Sequence, residues 1–506
     1  MSERVQTPGM KAVAVRGGLI VASSQMVKIV TQAVSVVVLS RLLDPSDFGL
    51  VAAVAPVTAF AAMVQGLGLQ QAVIRHHNLP PEQLSRIFWL SVGVSLLCAS
   101  LVAIAAPGLA AFYQSPQLRL LTVAAAVPLL VASVASLPQA MLSRDLRFGT
   151  LAAIDCTGAV LGLVAAVLIG LLGGGYWSLL GGTLAANTVA LVGCWRAARW
   201  RPGWPARRLP DRALLGFGAN LSGFTLVNFF ARNLDNVLIG RFAGAAALGF
   251  YERAYTLMLF PLQTVNGPIS GVMVPLLSRI EADKPQLRAV YLQTVGQIVL
   301  LSVPGLAAAT AASADVIGFL FGPKWAESAP IFAWLGLAGL VQPLGNSTGW
   351  LFIAQGQTGA MFRWGIYAAV TTIVAFAIGL HWGAVGIAAA YAISEYAVRT
   401  PVSYWYLGRI GPVRMRDFVV VQAPLLVAAA LTILAYHALI AGAWGLHGLP
   451  AILTTVAVSY ALALAAVRLA PGGRQRLHES LDLLRHVLRM LPFRTAAGAL
   501  TPRPKG

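Results

Sequence analysis

From residue 17 to residue 468 the sequence is a succession of fourteen apolar runs, with most of the charge confined to the short gaps between them. A helix needs about 20 apolar residues to cross a hydrocarbon core of about 30 Å. The runs lie near residues 17–39, 49–66, 85–107, 118–140, 150–172, 176–196, 213–239, 245–268, 289–312, 328–353, 362–380, 383–407, 418–440 and 449–468. In a bilayer a spanning segment must satisfy its own backbone N–H and C=O groups, so such runs fold as helices. Only 10% of the 506 residues are charged, against about 25% in soluble domains. So few charges cannot cover a solvated surface. The expected fold class is therefore all-α: a polytopic membrane protein of about 14 transmembrane helices.

The gaps give an orientation. The chain has 36 Lys and Arg against 17 Asp and Glu. Counting gaps alternately, 28 of the 36 cations fall on the side that holds both termini, and four, Arg41, Arg119, Arg241 and Lys324, on the other. Lys and Arg concentrate in cytoplasmic loops, which places both termini in the cytoplasm. The spread of cations over gaps argues against nucleic acid as the partner. The first run is long, contains Lys28 and lacks a small-residue cleavage site, so it reads as a span rather than a cleavable signal. The basic gap from Arg196 to Arg212 reads as a linker on the anionic membrane surface. Leucines and Val487 at helical spacing between Arg474 and Leu491 predict an interfacial amphipathic helix.

The chain repeats itself. SRLLDPSDFGL from Ser40 and GRFAGAAALGF from Gly240 each follow an apolar run, with Arg41 and Arg241, and Gly49 and Gly249, 200 residues apart. GGGYWSLLGG from Gly173 resembles HWGAVGIAAA from His381 in its small-residue turn. These matches predict two pseudo-symmetric six-helix lobes, residues 1–200 and 213–410. Residues 201–212 form a cytoplasmic linker, 411–470 two extra C-terminal helices, and 471–506 a basic tail. Six is even, so the lobes enter the membrane in the same direction, and a pseudo-twofold along the membrane normal relates them. Repeats of this kind enclose a site near the midplane.

Eight ionisable residues fall inside spans: Lys28, Asp155, Arg232, Asp235, Glu252, Arg253, Glu395 and Arg399. A charge at a helix centre costs roughly 2.5–3.5 kcal/mol on insertion scales, so these residues should face protein or water. Arg232 and Asp235 at i,i+3, and Glu395 and Arg399 at i,i+4, can pair on one helix face. Glu395 and Arg399 are read either as a structural ion pair or as a coupling site. Glu252 and Arg253 are neighbours pointing apart. Asp155 is assigned to helix packing. Lys28 sits mid-span with no local carboxylate, on a polar stripe with Ser24, Gln25, Thr31, Gln32 and Ser35. Span seven offers Asn228, Arg232 and Asp235 in the same manner. Cations and amides in a cavity suit an anionic, hydroxyl-rich cargo. Cations that merely brace the lobes are the structural alternative.

No GxxxxGK[ST] or HExxH motif is present, and no catalytic or metal-ligating constellation is expected. Cys98, Cys156 and Cys194 lie inside apolar runs as small packing residues. His76 and His77 fall in a cytoplasmic turn.

Four strings carry a resemblance: SRLLDPSDFGLVAAV from Ser40 with GLGLQQAVIR from Gly66, PQAMLSRDLRFGTLA from Pro138, ARNLDNVLIGRFAGAAALGFYERAYTLMLFPL from Ala231, and VIGFLFGPKWAESAPIF from Val316. Over about residues 15–410 the chain resembles Wzx-type polysaccharide flippases of the multidrug/oligosaccharidyl-lipid/polysaccharide exporter superfamily. The resemblance implies a V-shaped two-lobe fold with alternating access, in the bacterial inner membrane. It implies an undecaprenyl-diphosphate-linked oligosaccharide as cargo, with Lys28, Arg232 and Arg253 toward the pyrophosphate. It also implies no cofactor, coupling to a proton or sodium gradient, and pathway partners such as a polymerase and glycosyltransferases. In fourteen-span relatives the last pair flanks a groove for the lipid tail. A peptidoglycan-precursor flippase and a drug or cation antiporter of the same superfamily remain as alternatives. So does a membrane glycosyltransferase, which would need a large acidic external loop. The first lobe offers Lys28 and a single edge carboxylate, Asp155, where antiporters carry several acids.

Overall fold

The computed structural model describes residues 8–65, 73, 80–204, 233–471 and 473–474, with the backbone alone over 8–22 and at 268. Among them all regular structure is helical. Ten helices are long and apolar enough to cross a membrane, or twelve if each of two bent pairs is one span. The chain is thus a multi-pass helical membrane protein. Most of the expected span 213–239, with Asn228 and Arg232, lies outside the described residues, as do linker residues 205–212 and the expected tail helix.

The helices are α1 (Pro8–Leu42), α2 (Pro45–Gln65), α3 (Pro81–Phe112), α4 (Gln117–Arg144), α5 (Phe148–Leu171) and α6 (Trp177–Ala198). A helical stretch over 233–242 leads into α7 (Gly244–Arg279). Then come α8 (Lys284–Ala311), α9 (Ser313–Phe321), α10 (Ser328–Gly339), α11 (Gln342–Ala354), α12 (Thr358–Gly379), α13 (Gly383–Ser394), α14 (Thr400–Ile410), α15 (Met415–Ala435) and α16 (Leu449–Leu469). The expected spans 362–380 and 383–407 fall in one helical stretch, Thr358–Ile410. Seven helical residues cover about 10 Å, yet Gly379 and Gly386 are packed so closely that a Cβ on either would strike the other's carbonyl oxygen. The chain therefore reverses there, through Gly383 at φ +67°. The expected continuous span 328–353 is instead broken between α10 and α11 by 41°.

Contacts divide the chain into two compact units. The first holds residues 1–254, 320–331 and 365–390, the second 255–319, 332–364 and 391–506. In the first, α5 and α6 pack through small residues: Gly162 and Gly182 lie against each other's backbone, the close approach that membrane helix pairs favour. Pro138 in α4 has no N–H to bond the Val134 carbonyl, and in lipid an orphan carbonyl is expensive. The Trp195 indole on α6 donates to that oxygen at 3.0 Å. Ile87, Phe88, Leu137 and Met141 form the core around it, with Trp195 and Trp200.

The second unit is braced by buried polar contacts. The bend at Leu340 frees its carbonyl, which accepts from Gln422 Nε2 on α15 at 3.0 Å. Gln422 Oε1 accepts from the Tyr404 hydroxyl at 2.8 Å, and Tyr404 stacks on Phe418 with centroids 4.8 Å apart. Arg288 on α8 grips Asp417 at the start of α15. Ser459 on α16 donates to the Pro304 carbonyl at 2.8 Å. These bonds fix α15 and α16 against α8.

Candidate functional site

Lys28 lies on α1, which packs along α5; the Cys156 thiol on α5 reaches the Ser24 carbonyl at 3.6 Å. That contact places the preceding residue, Asp155, beside Lys28, and Lys28 Nζ meets Asp155 Oδ2 at 3.0 Å. Lys28 has no local carboxylate, and Asp155 is expected to serve in packing; the fold joins the two across 127 residues. Both side chains keep about a third of their surface open, 38% and 35%. An ammonium has three N–H donors, and Asp155 takes one. Among the described residues the other two have no hydrogen-bond partner. Gln32 follows one turn along α1 and is exposed.

Asp235 takes a different position. It is 3% exposed, and its carboxylate accepts from the Tyr251 hydroxyl at 2.9 Å and the Asn236 N–H at 2.8 Å. It pins the helical residues 233–242 to α7. Glu252 and Arg253 were expected to point apart. Adjacent helical positions do diverge, but long side chains curl back, and Arg253 Nε reaches Glu252 Oε2 at 3.0 Å. The Arg253 guanidinium also sits 3.9 Å from the centroid of the Phe48 ring, close enough for a cation–π attraction. Among the described residues no hydrogen bond or ion pair joins Lys28 to Asp235 or Arg253.

Glu395 and Arg399 form an ion pair within a π-helical turn, Glu395–Arg399, between α13 and α14. Arg399 is 6% exposed. Its guanidinium lies 4.3 Å from the Tyr391 ring centroid and donates to the Tyr391 carbonyl at 3.3 Å. Gln342 Nε2 donates to the Tyr391 hydroxyl at 3.2 Å. π-turns recur at functional positions, and this one carries a buried charge pair. Among the described residues no three His, Cys, Asp or Glu side chains converge so as to hold a metal ion.

Sequence reasoning missed a further cluster, where the two repeat copies meet. A helix C-terminus leaves its last carbonyls without partners. At the end of α1, the Ser40 carbonyl accepts from the Trp325 indole at 2.6 Å. At the end of α9, the Leu320 carbonyl accepts from Arg41 Nε at 3.1 Å. Each helix end is thus capped by a residue next to the other. Trp325 is fully buried, its ring edge-on to Phe48, Phe321 and Phe250 at 5.4, 5.9 and 5.9 Å. Ser328 donates to the Phe250 carbonyl at 3.0 Å, and Lys324 meets Asp44 at 3.3 Å.

Beneath this cap the helices cross at two glycines. A Cβ on Gly49 would overlap the Ala245 carbonyl, and one on Gly249 would overlap the Pro45 carbonyl. Gly49 meets 245 and Gly249 meets 45, so both contacts obey the repeat offset. The signal was present in the 200-residue spacing of the glycines, but spacing does not say that two copies touch.

A family model described as "Polysaccharide biosynthesis protein" matches residues 38–330. The succinoglycan biosynthesis transport protein ExoT of Rhizobium meliloti is 29% identical over 352 residues, 68% of this chain and 70% of that protein. The lipopolysaccharide biosynthesis protein WzxC of Escherichia coli is 23% identical over 381 residues, 74% of this chain and 76% of that one. Among solved structures, the lipid II flippase MurJ in an inward closed conformation superposes with a TM-score of 0.70 at 12% identity, over 89% of this chain and 98% of that one.

Proposed function

The chain belongs to the polysaccharide biosynthesis protein family, and from that membership we propose that it flips an undecaprenyl-diphosphate-linked oligosaccharide from the cytoplasmic to the periplasmic leaflet, by alternating access around a cationic cavity. ExoT and WzxC bear transport and polysaccharide-biosynthesis names, and the fold is that of a flippase. The observation that carries the cargo assignment is Lys28. It is a cation inside a span, held by a single carboxylate bond and still a third open. A pyrophosphate offers several oxygens to such an ammonium, and a charge-assisted bond to it is short and strong. Gln32, Asn228, Arg232 and Arg253 complete the proposed cationic, amide-lined face, with Asp235 fixing the helix that precedes α7.

The protein works as a transporter and not as an enzyme, in the bacterial inner membrane, with both termini cytoplasmic. An ion gradient drives the cycle, with Glu395 and Arg399 as the coupling pair. A polymerase and glycosyltransferases of the same pathway are its partners.

The test replaces Lys28 and Arg232 by alanine in cells lacking the native copy. Polysaccharide export should stop in each variant while immunoblots of the membrane fraction show normal protein. Normal polymer output from both variants would refute the cationic-site reading. Inverted vesicles loaded with labelled lipid-linked oligosaccharide give the direct measure of flipping.

A further inference from the structure

Beside the glycine crossing, a cavity of about 420 Å³ opens in the first unit. Small-molecule sites run from about 300 to 1,000 Å³. The turn between α3 and α4 lines it with Tyr113, Gln114 and Ser115, and the residues just before α7 line it with Arg241 and Phe242. The Arg241 guanidinium lies 5.8 Å from the Phe112 ring centroid and 5.5 Å from that of Phe242. Those rings flank it, and among the described residues no carboxylate pairs with it. No side-chain hydrogen bond engages Tyr113, Gln114 or Ser115 there either. One guanidinium, one amide and two hydroxyls thus converge on a cavity without internal partners.

The charge distribution sharpens the point. Four cations lie on the face opposite the basic gaps. Arg41 caps the Leu320 carbonyl, and Lys324 pairs with Asp44. Arg119 is not part of the cavity wall. Arg241 lines this pocket.

We propose that this pocket binds an acidic saccharide on the outward face. A carboxylate or acidic substituent on a sugar ring would take the guanidinium in a two-point bond. The ring hydroxyls would meet Gln114, Ser115 and the Tyr113 hydroxyl, and the apolar face of the pyranose would lie on the aromatic rings. A phospholipid phosphate would engage Arg241 alone and leave the amide and hydroxyls to water. The assignment to a saccharide rests on the transport reading above; the pocket itself does not. The site would take the glycan after translocation, distinct from the Lys28 site.

The experiment uses the full chain in phosphatidylcholine nanodiscs, with digalacturonate as the acidic probe and cellobiose as the neutral one, read by saturation-transfer NMR and titration. Digalacturonate should bind at least tenfold more tightly than cellobiose. Arg241→Gln should lower its affinity tenfold or more, Arg241→Lys less. Ser115→Trp, which fills the cavity and keeps the arginine, should also abolish binding, and it decides the matter if Arg241→Gln does not fold. Lys28→Ala should leave binding intact. Equal affinity in wild type, Arg241→Gln and Ser115→Trp overturns the proposal. So does loss of binding in Lys28→Ala, which would place the signal at the other site. Displacement of the probe by phosphatidylglycerol in the nanodisc overturns it as well, in favour of a lipid headgroup. If Lys28→Ala and Arg232→Ala export normally while Arg241→Gln loses the probe, the transport mechanism fails and the saccharide pocket stands.

Discussion

At the scale of single residues, the charges inside the spans that fall among the described residues are matched by polar groups. Lys28 has Asp155, Arg253 has Glu252, Glu395 has Arg399, and Asp235 has the Tyr251 hydroxyl. Of these pairings only that of Glu395 with Arg399 was legible in the sequence, where helical spacing brings the partners together. The Lys28–Asp155 pair joins residues 127 apart, and no local periodicity encodes which helix packs on which. Removing Asp155 leaves a cation in a span, whereas removing both partners leaves neither. Asp155→Ala should therefore reduce the amount of protein in the membrane, and Lys28→Ala with Asp155→Ala should restore it, as checked by quantitative immunoblot. Equal loss in single and double variants would show that the pair is not coupled. Trp325 is the other decisive residue. Truncation to alanine removes a fully buried ring and orphans the Ser40 carbonyl; large-to-small changes of this kind cost about 3–5 kcal/mol. Thermal unfolding in detergent should show Trp325→Ala well below wild type, with Trp325→Phe between them.

At the scale of elements, the apolar runs located most described helices well because the bilayer fixes their length and polarity. What hydropathy could not see are the breaks. The bend between α10 and α11 falls just before Gln342 and Pro343, inside what hydropathy averages into one run, and the freed Leu340 carbonyl is taken by the Gln422 side chain. The π-helical turns at Glu395–Arg399 and Tyr436–Ala443 are likewise silent in composition. Proline is legible as a residue, but its consequence depends on a neighbour. Trp195→Phe should keep the packing around Phe88 and lose only the bond to the Val134 carbonyl, a change worth about 1–3 kcal/mol when the orphan stays buried. A smaller loss, measured by the unfolding midpoint, would mean that water reaches that oxygen. The glycine crossing is stricter. Gly49→Leu or Gly249→Leu forces a side chain into the facing backbone, so each should abolish membrane accumulation, while Gly93→Leu, where a Cβ meets nothing within 4 Å, should be tolerated.

At the scale of the whole molecule, the transport proposal requires some contacts to break during the cycle. The exposed Lys324–Asp44 pair sits at the edge of the Trp325 cluster and reports on whether that cluster opens. In a chain freed of Cys98, Cys156 and Cys194, a short bifunctional thiol cross-linker between Asp44→Cys and Lys324→Cys should stop flipping in vesicles. A longer flexible linker should restore it. Full activity with the short linker would mean that this face stays closed throughout the cycle. The expectation of six spans per copy rests on two weak internal matches, since an even number of spans per copy makes the copies repeat in parallel. The place where the copies grip each other was not, since it depends on the approach of two backbones.

That grip has a consequence for how such a chain came to be one polypeptide. Gly49 against residue 245 and Gly249 against residue 45 are the same handshake made twice. A surface that binds its own repeat in this way is self-complementary, the property that closes a symmetric dimer of identical subunits. A half-length ancestor carrying one copy would already have possessed the mating face for a second molecule of itself. Joining two such copies in one chain would turn an association that depends on concentration into an internal one, with the two bare crossing points as the contacts that have to be kept.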